Sequence, residues 1–164
     1  MDFHHVLVVG AGQMGGGIAQ VVAASGRRVS LHDAAPGATD RGLAAIGRSL
    51  TKLAEKGGAD PDEVLARIET ADDLVAADLM IEAVIEDAAV KTEIFRRADE
   101  LLPDSAILAS NTSSIPITSL AAATSRPEHS LRRIEAVLAC REAILWNVKP
   151  RIAVEAMVTT LRHG

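Results

Sequence analysis

The apolar positions along this chain follow two patterns: short unbroken runs, and longer stretches with an apolar residue every three or four positions. Val6-Leu7-Val8-Val9 is of the first kind, and Arg28 to His32, Leu79 to Glu86 and Ala106 to Ser110, in which polar residues interrupt or end the run, are read with it. Such runs suit strands of a parallel sheet, which are buried on both faces. The second kind separates them. Met14, Ile18, Val21, Val22 and Ser25 share one helical face, and Gly26 follows as a stop. Leu43, Ile46, Leu50 and Leu53 form a stripe in a helix from an Asp40 cap to about Lys56, ended by Gly57-Gly58. Val90, Ile94, Ala98 and Leu101 form another, from about Asp87 to Leu102, stopped by Pro103. Smaller elements fill the gaps. Pro61 opens a short helix to Leu65 or Ala66, and Arg67 to Thr70 follows as a short strand. Asp72, Asp73 and Asp78 bracket a brief helix, and Pro116 opens one to about Ala123. Strands alternating with helices predict an α/β fold: a doubly wound parallel sheet, with helices on both faces and right-handed crossovers.

The first strand runs directly into Gly10-Ala11-Gly12-Gln13-Met14-Gly15 and then into a helix. This Gly-x-Gly-x-x-Gly spacing has a physical use. Gly10 permits the tight turn out of the strand, Gly12 lets backbone approach a pyrophosphate, and Gly15 lets helix and strand pack closely. The free amides and the dipole of the helix N-terminus then face the anion. Asp33 ends the second strand. An acid there accepts hydrogen bonds from a ribose 2′-hydroxyl and repels a 2′-phosphate, which favours NAD over NADP. The sheet is thus expected to be Rossmann-like. The Gly10–Gly15 loop, Asp33, Glu86 and the Asn111-Thr112-Ser113-Ser114 loop all fall at the C-terminal ends of strands, where ligands of such sheets bind.

Composition narrows the classes. The 164 residues are 48% apolar and 24% charged, in the range of a globular domain with its own core. No apolar run approaches the roughly 20 residues of a membrane span. Met1-Asp2-Phe3 enters the first strand at once, so no leader is expected ahead of it. Cys140 is the lone cysteine, which argues against a disulfide framework or a cysteine metal centre and for a cytoplasmic location. The net charge is −5, with acids in excess up to residue 125 and bases in excess after it. An acidic body with only Phe3, Phe95 and Trp146 as aromatics argues against nucleic acid. Lys52 and Lys56 read as a solvated helix face, with contact to an anionic substrate tail as the functional alternative.

Three stretches resemble the N-terminal domain of the 3-hydroxyacyl-CoA dehydrogenase family: VGAGQMGGGIAQVVAASG (9–26), ADLMIEAVIEDAAVKTEIF (77–95) and ILASNTSSIPITSLAAATSRPE (107–128). The resemblance spans about residues 4–128. It implies NAD-dependent interconversion of 3-hydroxyacyl-CoA and 3-oxoacyl-CoA, a step of fatty-acid β-oxidation or its reverse. It also implies that Gly10, Gly12 and Gly15, with Gln13 and Met14 in the same loop, hold the pyrophosphate, and that Asp33 holds the adenosine ribose. Ala83, Glu86, Lys91 and Asn111 would lie along the nicotinamide half, and Ser113 would hydrogen-bond the reacting oxygen of the substrate. Such a hydroxyl can stabilise charge as it develops there. Glu86, Lys91, Asn111 and Ser113 also have plainer readings, as helix-start, solvated or capping residues.

The resemblance stops short of the whole family pattern. The family carries a His-Phe-Phe-Asn-Pro strand whose His is the general base, oriented by a later Glu. Here the corresponding positions are Ile134 and Trp146. His129, with Glu128 beside it, is the remaining candidate base. The expected organisation is a NAD-binding domain over 1–128 and a divergent, partly helical tail over 129–164, without the family's helical substrate and dimerisation domain. A sheet edge left open by a missing strand would be covered by the tail, a second copy or a partner. The function expected is a dehydrogenase of this type with weak or no activity alone. The alternatives are a non-catalytic NAD-binding module and, less favoured by the SNTSS loop, a related β-hydroxyacid dehydrogenase.

Overall fold

Five parallel strands lie in the order β3-β2-β1-β4-β5. They are β1 (His5–Val9), β2 (Arg28–His32), β3 (Ile68–Ala71), β4 (Leu79–Glu82) and β5 (Ile107–Ser110). Helices α1 (Gln13–Ala24), α2 (Ala38–Ala54), α3 (Pro61–Leu65), α4 (Ala88–Leu101) and α5 (Ile117–Ala121) connect or follow them. The structure is a computed structural model that describes residues 3–125. The tail expected over 129–164, with Ile134, Trp146 and His129, lies outside the described residues.

Alternation along β1 divides the core. Val6 and Val8 pack with Val29, Leu31, Ile46, Leu50 and Ala19 under α1, α2 and α3. Leu7 and Val9 pack with Met80, Phe95, Leu108 and Leu120 under α4 and α5. Both faces of the sheet are therefore covered, as the continuous apolar strands require. Phe95 is fully buried, a placement that stabilises by about 2–3 kcal/mol.

Five local expectations are corrected. The buried face of α1 is Gly15, Gly16, Ala19, Val22 and Ala23, while Met14 is 53% exposed. Small residues face inward because the helix lies so close to the sheet. Helix α2 starts from Gly37, in a left-handed conformation at φ 68°, so Asp40 sits in its first turn rather than at its cap. The stretch bracketed by Asp72, Asp73 and Asp78 is not helical. Its acids bind backbone instead: Asp73 accepts the Leu74 amide, and Asp78 accepts the amides of His4 and His5. Finally, β4 stops at Glu82, and the buried face of α4 is Lys91, Phe95 and Ala98, while Val90 and Leu101 are exposed.

Candidate functional site

The strand ends form one row. Val9 is in register with His32 on one side and Glu82 on the other, His32 with Ala71, and Glu82 with Ser110. Gly10, Asp33, Ala83 and Asn111 are the next residues after four of these ends. The ladder extends one step past the row, because the amides of Gly10, Ala83 and Asn111 donate to His32, Val9 and Glu82 carbonyls, each at 2.7 Å. The sequence candidates are thereby gathered on the carboxyl edge of the sheet.

The glycine loop is built by close approach. Gly10 has φ 108°, and a Cβ there would meet the Ala83 carbonyl oxygen at 2.6 Å. A Cβ on Gly15 would lie 1.7 Å from the Gly10 carbonyl oxygen and 3.5 Å from the Ala83 side chain. Around Gly12 the space is open, with nothing within 4 Å of an added Cβ. Intrahelical bonding of α1 begins with the Gly16 amide on the Gly12 carbonyl at 2.8 Å. The amides of Gln13, Met14 and Gly15 thus precede the first intrahelical bond. No side chain caps this end, and no acid stands in its first turn. An uncapped helix start with clear space before it fits the pyrophosphate of a dinucleotide.

Asp33 is fixed beside that loop. One carboxylate oxygen accepts the Ala11 amide at 2.7 Å and the other accepts the Ala35 amide at 2.9 Å. The side chain is therefore held in one orientation at the end of β2 while keeping further acceptor capacity for a ribose hydroxyl.

The other side of the crevice is a charged network. Lys91 Nζ donates to both oxygens of Glu82, at 2.7 and 2.8 Å, and lies 3.3 Å from Oε2 of Glu86. Glu82 also accepts the Ser110 hydroxyl at 2.6 Å and the Val84 amide at 2.6 Å. Oε1 of Glu86 accepts the Thr112 hydroxyl, the Ser113 amide at 3.2 Å, and the amide and hydroxyl of Ser114 at 3.1 and 2.8 Å. These donors, the Thr112 hydroxyl foremost, hold the Glu86 carboxyl down at about 2 against an ordinary 4.5. Burial acts against them and loses.

Lys91, expected as a cofactor contact, is instead fully buried, with its ammonium hydrogens directed at the two glutamates. Glu86 stays at the edge but is a clamp on the 112–114 segment. Ser113 is exposed on that clamped loop, and Met14 is exposed on the opposite lip. Asn111 is half-buried at the mouth, tied through its backbone. Glu82 and Ser110 belong to this network and were missed by the sequence reading, which had Thr112 only as part of the 111–114 loop. A glutamate ending an apolar strand was the available signal, since a buried acid demands a partner. Among the described residues no His, Cys, Asp or Glu grouping suits a metal ion.

Comparison with known proteins agrees with this geometry. Residues 5–132 match the family model described as 3-hydroxyacyl-CoA dehydrogenase, NAD binding domain. The chain is 44% identical over 131 residues to the 3-hydroxybutyryl-CoA dehydrogenase of Mycobacterium tuberculosis, covering 76% of this chain and 46% of that protein. It is 44% identical over 127 residues to that of Bradyrhizobium diazoefficiens, covering 74% and 43%. The crystal structure of (S)-3-hydroxybutyryl-CoA dehydrogenase from Ralstonia eutropha superposes with a TM-score of 0.72 at 39% identity, covering 77% of this chain and 47% of that one. The chain spans just under half the length of the curated relatives it matches. With its parallel sheet, its glycine loop and this match over most of its length, the chain belongs to the NAD-binding domain family of the 3-hydroxyacyl-CoA dehydrogenases.

Proposed function

We propose that this chain supplies the NAD-binding half of an oxidoreductase that interconverts 3-hydroxyacyl-CoA and 3-oxoacyl-CoA in fatty-acid metabolism. The observation that carries the reading is the open, uncapped start of α1 beside a fixed Asp33 carboxylate. Bound there, NAD would accept or return the hydride. The amides of Gln13, Met14 and Gly15 would hold the pyrophosphate and Asp33 the adenosine ribose. The acyl-CoA class of substrate follows from relatives named 3-hydroxybutyryl-CoA dehydrogenase. Ser113 would hold the substrate oxygen, on a loop that Glu86 keeps in place.

A general base must reach the hydroxyl proton directly or through one water. Among the described residues His4 and His5 lie at the far end of the sheet, and His32 sits beside Asp33. None of them adjoins Ser113. With Ile134 and Trp146 at the positions of the family's base and its partner, the chain alone is proposed to bind NAD with little or no turnover, which keeps a non-catalytic NAD-binding module as the second reading. The lone Cys140 fits a reducing compartment, and the cytoplasm is the compartment proposed. A second copy or a partner against the β5 edge is the proposed assembly, to be read by light scattering.

The test is calorimetric titration of NAD into wild type and Asp33→Ala, followed by turnover of 3-hydroxybutyryl-CoA on the same samples. Binding that weakens in the variant, without turnover, supports the cofactor half acting without a base. Turnover would mean that residues after 125 supply the base. No binding to wild type would overturn the reading.

A further inference from the structure

The following rests on the NAD reading above. Glu82 receives only donors: two from Lys91, one from Ser110 and one from the Val84 amide. The Ser110 oxygen itself accepts the Thr112 amide at 3.2 Å, which leaves its own proton for Glu82. Glu82 is thus a carboxylate and Lys91 an ammonium, and their charges cancel inside the core. Glu86 is the third member of the cluster, and its partners are likewise all donors. Its charge is the one left over. The cluster therefore carries one net negative charge, held rigidly at the edge between β4 and β5.

Topology says which part of a dinucleotide meets that charge. The pyrophosphate lies at the start of α1, after the central strand β1, and the adenosine half lies over β2, where Asp33 stands. The remaining half must extend the other way, over β4 and β5. The reacting ring at that end is a cation when oxidised and neutral when reduced. All other charges of the cofactor are the same in both forms.

We propose that the Glu82–Lys91–Glu86 cluster acts as a fixed negative charge facing the nicotinamide side of the crevice, selecting the oxidised cofactor over the reduced one. A fixed charge lowers the free energy of the cationic ring and leaves the neutral ring almost untouched. Screened by water at the open edge, with an effective dielectric of about 60, one charge about 4–5 Å away changes affinity by roughly five- to tenfold. The same carboxylate serves two purposes. Its Oε1 orders the 112–114 loop, while its charge biases the redox state of what binds beside that loop.

The experiment is titration of the full chain with NAD+ and, separately, NADH, giving a ratio of dissociation constants. Glu86→Gln keeps an acceptor for Thr112 and Ser114 but removes the charge. Glu82→Gln removes the same net charge from within the core and leaves the Glu86 clamp intact. Glu69→Gln, on an exposed position of β3, is the matched charge control. The expected result is that both cluster variants weaken NAD+ roughly five- to tenfold and NADH by less than about twofold. Glu69→Gln should leave the ratio unchanged. The proposal is overturned if Glu86→Gln weakens both nucleotides equally, or if a folded Glu82→Gln leaves the ratio where it was. Should Glu82→Gln fail to fold, Glu86→Gln against the Glu69 control decides. Wild type that binds neither nucleotide would instead overturn the NAD reading, and this inference with it.

Discussion

Lys91 Nζ reaches both carboxylate oxygens of Glu82, at 2.7 and 2.8 Å, in a part of the core where neither residue is exposed. Such a pair is weak evidence for stability in itself, because removing both charges from water is costly. Breaking it is another matter. Lys91→Met is expected to destabilise by about 3–5 kcal/mol, since it leaves an uncompensated carboxylate inside the protein. Urea unfolding measures this. Adding Glu82→Gln to that variant should recover a large part of the loss, because the buried charge is gone and the amide oxygen still accepts from one of Ser110 and Val84. A double variant no better than the single one would mean that the pair's geometry, not its charge balance, holds the region.

The glycines of the loop should separate folding from binding. Gly12→Ala meets open space and has an ordinary backbone at φ −69°, so the melting temperature should move little. Its methyl stands where a pyrophosphate would approach, so NAD affinity should fall by about tenfold or more. Gly15→Ala drives a Cβ to 1.7 Å from the Gly10 carbonyl oxygen. The backbone must shift, and a cost of about 3 kcal/mol is expected. Thermal melts and titration calorimetry on the two variants check both halves.

Asp33→Asn should change nucleotide preference. It removes the charge that repels a 2′-phosphate, so affinity for NADP relative to NAD should rise. One of the amides of Ala11 and Ala35 then faces an NH2 group instead of an oxygen, and about 1–2 kcal/mol of stability should be lost. Parallel titrations with the two nucleotides measure the preference, and unchanged discrimination would remove Asp33 from the ribose site.

Acid should release the 112–114 loop. The Glu86 carboxyl is held at about 2 in the folded protein against an ordinary 4.5, chiefly by the Thr112 hydroxyl. A lowered folded value means stabilisation that is complete above 4.5 and is lost progressively as pH falls toward about 2. Amide exchange at Ser113 and Ser114, corrected for intrinsic rates, should therefore lose protection across that window. In Glu86→Gln the corrected protection should not vary with pH there.

The periodicity of this chain revealed the sheet, its parallel sense and the row of candidates at one edge, because buried parallel strands must be apolar on both faces. It misplaced α4. Val90, Ile94, Ala98 and Leu101 read as the inward stripe because Lys91 reads as a solvent residue, yet Lys91 and Phe95 join Ala98 in the core while Val90 and Leu101 are exposed. The partner that permits this, Glu82, sits at the end of another element, and no local pattern links the two. The same blindness hid the Glu86 clamp. A carboxylate gathering donors from Thr112, Ser113 and Ser114 is a tertiary fact, whereas Gly-x-Gly-x-x-Gly is a local one.

The strand order also has a consequence in time. Of the five described strands, the first made is the central one: β1 pairs with β2 soon after synthesis but must wait for β4 on its other side. The His5 amide and the Asp78 carboxylate that close this junction are 73 positions apart. Until that distance has been synthesised, β1 presents an unpaired apolar edge, the kind of surface that recruits other chains. Non-local parallel pairing is slow to form. The growing chain therefore passes through an interval in which the strand destined for the middle of the sheet is its adhesive edge, and that interval ends when β4 docks.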